Sequence, residues 1–246
     1  SFFAPRFEYL VISGSVGPGI SATSGGAMQG SDWFLHNNSK DGLFIESSTV
    51  IVDHLHLSDN GQSGSHIFDS RYVTLSNLTA IGNGNLGLNE MEQAGLFFEK
   101  SNDLESSSGD VTCNHCTVSN SAGSGVMLKD SVDLFLNHLT VENNNPAYDP
   151  ITVDNSGLSL GQQGGRFHMH DVLIVTERQG TDAGPAIRIN RAAGNIDTLV
   201  LQGNHSGMVW NANTNGNYPS ELSRAQLSGT SCLLLIDHSD LIGQDN

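Results

Sequence analysis

The run from Gly125 to Val141, GVMLKDSVDLFLNHLTV, constrains this chain more than any other feature, because its pattern returns at least five times. A glycine opens it, an apolar pair two apart follows (Val126, Leu128), and Ser131 stands six after the glycine. A second pair, Leu134 and Leu136, leads through the polar His138 to a third, Leu139 and Val141. The same order recurs from Gly42 (Leu43, Ile45, Ser48, Val50, Val52, His54, Leu55, Leu57) and from Gly64 (Ile67, Ser70, Val73, Leu75, Asn77, Leu78, Ala80). It recurs from Gly95 through Leu96, Phe98, Ser101, Val111, Cys113, His115, Cys116 and Val118. A further copy runs from Gly157 through Leu158, Leu160, Phe167, Met169, Asp171, Val172 and Ile174, and a looser one through Ile187, Ile189, Ile196, Leu199 and Leu201.

Alternation at period two marks short strands with one buried face, and three such strands per repeat of more than about 20 residues is the signature of a solenoid. The polar residue between the second and third pairs breaks the alternation, so the chain must bend there. Each coil is a bent triangle, and successive coils stack in parallel ~4.8 Å apart. Over about residues 31–201 the pattern resembles the right-handed parallel β-helix of the pectate-lyase-like superfamily. The resemblance implies an all-β, single-stranded parallel β-helix and leaves activity to individual residues. It also implies a ladder of stacked side chains, expected in the turn column His54, Asn77, His115, His138 and Asp171, where each side chain would bond backbone groups of its neighbours.

At ~25 residues per coil, 246 residues form one domain of about eight or nine coils, a rod of ~40 Å. Residues 1–30 are read as an N-terminal coil and cap with one strand from Tyr9 to Ile12, 31–202 as regular coils, and 203–246 as an irregular coil and cap. A short helical turn is expected over Pro219–Arg224 and an apolar strand over Cys232–Ile236. Solenoid ends need covering, by these caps, by adjoining domains or by a second copy in a homo-oligomer. The opening Ser1, without Met or an apolar leader, is what a processed or partial chain would show.

A net charge of −16 with only 10 Lys plus Arg argues against nucleic acid and anionic membranes as partners. No apolar run is long enough for a membrane span. An acidic, Gly-rich β-solenoid suits a secreted, extracellular protein. Three cysteines make no disulfide framework; Cys113 and Cys116 fall on inward positions and, with Cys232, are read as small buried apolar residues.

Alternation places the outward residues of the first strands as Phe44 and Glu46, His66 and Phe68, Phe97 and Glu99, Met127 and Lys129, Ser159 and Gly161, and Arg188 and Asn190. Three long segments leave one edge of this face, 83–94, 143–156 and 176–185, and insertions on one side of a solenoid mark its binding side. The face combines an apolar ladder (Phe44, Phe68, Phe97, Met127) with converging charge: Lys129 beyond Glu99, Arg188 two coils on, His66 and Glu46 before. From the loops, Glu90, Glu92, Tyr148, Asp149 and Arg178 can fold over it.

Elimination from, or C5 epimerisation of, a uronic-acid polysaccharide needs a cation on the carboxylate, a base for the C5 proton and an acid for the leaving oxygen. Lys129 as base, Arg188 or a Ca²⁺ on Glu46 and Glu99 as neutraliser, and Tyr148 as acid fill these roles, with His66 a further catalytic candidate. Phe44, Phe68, Phe97 and Arg178 would contact the polymer. Family motifs are incomplete: Ile51-Val52-Asp53-His54 approaches the Ile-Asp-His of pectate lyases, and Tyr148-Asp149-Pro150 approaches the Tyr-Gly-x-Asp-Pro-His of mannuronan epimerases, with Ile151 in place of the final His. Glu46 and Glu99, two coils apart at ~10 Å, also approach the spacing of inverting glycosidases. The alternative reading is a non-catalytic β-helix, a tail fibre, adhesin, surface or filament module, with the apolar ladder as its interface.

Overall fold

The computed structural model describes residues 4–70, 72–89, 91–99, 110–129, 133–145, 147–154, 166–177, 184–190, 192–211, 221–228 and 233–237. The first coils comprise β1 (Arg6–Ser13), β2 (Ile20–Ala22), β3 (Ala27–His36), β4 (Leu43–Glu46), β5 (Thr49–Ser58) and β6 (Ser65–Phe68). The middle comprises β7 (Val73–Ile81), β8 (Leu96–Glu99), β9 (Asp110–Ser119), β10 (Val126–Lys129), β11 (Asp133–Glu142) and β12 (Ile151–Asp154). The last coils comprise β13 (Arg166–Glu177), β14 (Ile187–Asn190), β15 (Ala193–Asn204), β16 (Gly207–Asn211), β17 (Glu221–Leu227) and β18 (Leu233–Asp237). Odd strands stack into one nine-stranded sheet and even strands into another, and every recorded strand pair is parallel. This is the parallel β-helix that the repeat predicts.

The second and third apolar pairs of a coil form one long strand, bent about a single residue in the left-handed region. Tyr9, Asp32, His54, Asn77, His115, His138, Asp171, Thr198 and Arg224 all have φ between 49° and 60°. The penalty of that conformation is smallest for glycine, and Asn, Asp and His tolerate it best among the others, which explains most of the column's composition. The bend lets residues three apart both point inward, so Leu136 and Leu139, or Leu75 and Leu78, enter one core. It also brings Cys113 and Cys116 together: they form a buried disulfide across His115, where simple apolar packing was expected. Cys232 lies outside the described residues.

The bend column is not the side-chain ladder. Most of its side chains face solvent and meet one another: His115 stacks on His138 at 4.5 Å, His138 Nδ1 lies 3.1 Å from Asp171, and Asn77 donates to Asp53. The ladder runs at the next corner, through Asn38, Asn60 and Asn83, all fully or nearly fully buried. Asn38 Nδ2 donates to Asn60 Oδ1 and Asn60 Nδ2 to Asn83 Oδ1, each at 2.9 Å; the latter two amides also reach the Leu35 and Leu57 carbonyls. This explains the glycines at 42 and 64. A Cβ on Gly42 would lie 2.7 Å from the Asn60 amide nitrogen, and one on Gly64 2.9 Å from that of Asn83.

The ladders run beyond the expected limits of the regular repeat. β1 pairs with β3 at one end, and at the other β16 and β18 continue the short sheet. Glu221–Leu227, half of which overlaps the expected helical turn, is instead a strand paired with β15. Its sequence ELSRAQL lies at an exposed sheet edge, so it lacks the apolar alternation that marks the others. Among the described residues no helix is long and apolar enough to cross a membrane.

Replacing Asn60 with Ala is expected to cost about 2–4 kcal/mol in denaturant unfolding, because it leaves buried ladder and carbonyl groups unpaired. Asn77→Ala, at the exposed bend, is expected to cost only about 1 kcal/mol, mostly from the left-handed backbone. Equal losses for the two would contradict this division of roles.

Candidate functional site

The short sheet presents two outward residues per strand, and its register sorts them into two rows. One row runs Phe44, His66, Phe97, Met127, Thr152 and Arg188; the other runs Glu46, Phe68, Glu99, Lys129, Asp154 and Asn190. Thr152 and Asp154 replace the expected Ser159 and Gly161, because the strand after β10 is Ile151–Asp154; Gly157 to Gly161 lie outside the described residues. Within the expected loop 143–156, Ile151–Asp154 is therefore a strand.

The expected apolar ladder is split by this register. Phe68 sits in the charged row, between Glu46 and Glu99. Phe97 and Met127 are buried, packed with Ala94 and Met91 of the 83–94 loop, which closes over the sheet. That loop is pinned by the Ser63 hydroxyl donating to the Met91 carbonyl at 2.9 Å. Phe44 remains partly exposed.

Charge converges as the alternation implies, with changed partners. Lys129 Nζ lies 3.2 Å from Glu99 Oε1, and His66 Nε2 lies 3.6 Å from Glu99 Oε2. At 3.6 Å the imidazole is beyond good hydrogen-bonding distance, so the Lys129 contact is the firmer of the two. His66, then burial in the opposite sense, then Lys129 act on Glu99, and the net effect holds its carboxyl below the ordinary range. Arg188 projects from the first row rather than lying in line with Lys129, and its Nε is 2.6 Å from Asp149 Oδ2. Tyr148 precedes Asp149 and its backbone N–H donates to the Asn145 carbonyl. Glu46 and Glu99 are separated by the Phe68 strand, and among the described residues no group of three or more His, Cys, Asp or Glu is arranged for a metal ion. Arg178 and Glu90 lie outside the described residues.

Asp41 is the residue that alternation missed. It precedes Gly42, outside the strand, in a column with Ser63, Ala94, Ser124 and Asp149 by the register of the neighbouring coils. Only 6% of it is exposed. Burial raises its pKa to about 6, against the opposing pull of His66 and of the Ser63 backbone N–H that it accepts. Asp41 and His66 line one pocket of about 340 Å³ together with Lys40, Phe44, Glu92 and Phe97. The one available signal was a carboxylate at a position where neighbouring repeats place Ser63, Ala94 and Ser124, all buried.

The family described as "Right handed beta helix region" matches residues 4–174. Among solved structures, the A-module of mannuronan C-5 epimerase AlgE4 from Azotobacter vinelandii shares the fold, with a TM-score of 0.67 at 16% identity. The match covers 97% of this chain and 64% of that one. No curated protein matches in sequence.

Asp41 has a folded pKa above its ordinary 3.8, so its contribution to stability is full below pH ~4 and is lost as pH rises through about 6. Asp41→Asn is expected to add roughly 2–3 kcal/mol to the unfolding free energy at pH 8 and almost nothing at pH 4. Parallel denaturation curves for both proteins at the two pH values check the sign.

Proposed function

The chain belongs to the right-handed β-helix family, and on that footing we propose that its short-strand face is the working groove of a secreted carbohydrate-active protein. Its substrate is an acidic polysaccharide, and its chemistry is elimination at, or C5 epimerisation of, a uronate residue. The observation that carries this reading is the placement of cations. The chain has 10 Lys plus Arg against 26 Asp plus Glu, yet Lys129 and Arg188 both project from this face, each beside a carboxylate that orients it. Lys40 lines the pocket at the start of the same groove.

Both reactions begin by making the C5 proton acidic, which requires positive charge on the sugar carboxylate. Lys129, engaged by Glu99, serves better as that cation than as the base, and Arg188 repeats the arrangement two strands on, ~10 Å along the groove. Proton removal then falls to His66, which stands two strands before Lys129 on the same face. The fold it shares with an epimerase module supports a carbohydrate ligand. The Cys113–Cys116 disulfide supports an oxidising, extracellular setting.

A non-catalytic role draws on a different observation. The outer edge of β1 pairs with no strand among the described residues and carries exposed Phe7, Tyr9 and Val11. Under that reading the protein associates through β1, and Tyr9→Lys would return it to a monomer in light scattering.

Incubation with polymannuronate, polyguluronate and polygalacturonate is expected to give either ultraviolet absorbance from a new C4=C5 double bond or altered anomeric signals in proton NMR. Lys129→Ala and Arg188→Ala should each lower kcat/KM by about 10²-fold, the scale of losing one charge-stabilising donor. Full turnover by both variants, or none by the parent protein on any uronate polymer, would sink the reading.

A further inference from the structure

The pocket at the head of the groove contains chemistry that a track of cations does not explain. His66 is fixed between two rings, with Phe97 4.5 Å and Phe44 5.2 Å from its own. Its Nε2 is buried without a hydrogen-bond partner, facing Glu99 at 3.6 Å. Asp41 shares the pocket and is close enough for the two charges to act on each other. The imidazole is only partly buried, while the Asp41 carboxyl beside it in the pocket is almost wholly so, and enclosing a carboxyl in this way is costly to fold. The pocket volume of about 340 Å³ falls at the low end of the ~300–1,000 Å³ typical of small-ligand sites.

We propose that Asp41 and His66 are the acid–base centre of the groove, and that the pocket between them takes one uronate ring of the polymer. This rests on the reading of the groove as uronate-acting. In the elimination step the imidazole of His66 takes the C5 proton, and the C–H electrons form the C4=C5 bond. The C4–O bond breaks toward oxygen, and that oxygen receives the proton of the Asp41 carboxyl. The step leaves an imidazolium beside a carboxylate, a pair that compensates its own charge. Moving one proton from His66 to Asp41 restores the starting state without another reactant. Lys40 at the pocket lining is the local cation for the sugar carboxylate, and Phe44 offers its ring to the sugar's apolar face.

The pH dependence follows from the groups that face one another: Asp41 meets His66, Glu92 and Lys40, while His66 meets Asp41 and Glu99, with Lys129 behind Glu99. Burial keeps Asp41 protonated up to about pH 6, so turnover should decline as the pH rises past that value.

The test is Asp41→Asn, which keeps an acceptor for the Ser63 N–H and removes the proton. On a uronate polymer that the parent protein turns over, it is expected to lower kcat by about 10²–10⁴-fold, with KM within roughly threefold and the alkaline decline abolished. His66→Gln should lose a similar factor. Turnover by Asp41→Asn within roughly threefold of the parent would overturn the assignment while leaving the groove reading intact. Should the parent act on no uronate polymer, the groove reading falls and the pocket is judged by NMR of the His66 ring with galacturonate and mannuronate. A saturable shift that Lys40→Ala abolishes supports the site, and no shift, or one that Lys40→Ala leaves unchanged, overturns it.

Discussion

Each coil depends on a backbone conformation that most residues avoid. The long strands turn at one residue with φ near +50°, and a second column of such residues, Asn37, Asp59, Gly82, Asn120 and Asn143, turns the following corner. Without the first bend, Leu136 and Leu139 would lie on opposite faces; with it, both join the core. The second corner needs more than a permissive residue, because it buries backbone. There the Asn38–Asn60–Asn83 amides link coil to coil and take up carbonyls that the turn leaves exposed. Gly42 and Gly64 leave the room that those amides need.

The short sheet inherits its chemistry from this regularity. Its four-residue strands show only two side chains outward, so the register alone decides which groups become neighbours. A one-residue slip of β10 would turn Lys129 to the other face of the sheet; the observed register places it on Glu99. Further groups must come from the corner before the glycine, where Asp41 and Asp149 stand, or from inserted loops. Both corner carboxylates act on a residue of the same row, Asp41 on His66 and Asp149 on Arg188.

The proposed acidic ligand would have to be captured by a strongly acidic molecule. A net charge of −16 repels a polyanion at long range, so recognition of one must be local. Cations held by carboxylates on a flat sheet are already oriented, and ordering them on binding costs little further entropy. The loop that buries Phe97 and Met127 adds a wall, which turns part of the sheet into a half-open pocket.

Period-two alternation, glycine spacing and the His, Asn or Asp at each bend are local properties of the chain. They sufficed to identify the parallel β-helix, its inward residues and the Glu99–Lys129 neighbourhood. Three features of the site were not legible. The coil after β10 was placed at Gly157 because ITVD resembles an inserted loop as much as a strand, and only pairing with β10 and β14 identifies it. Phe97 and Met127 read as exposed because alternation reports which side a residue faces, while a loop decides whether that side is covered. Asp41 lies outside every alternating segment. Its burial, its nearness to His66 and its raised pKa arise from coils stacked against one another, long-range contacts that no local pattern in the sequence encodes.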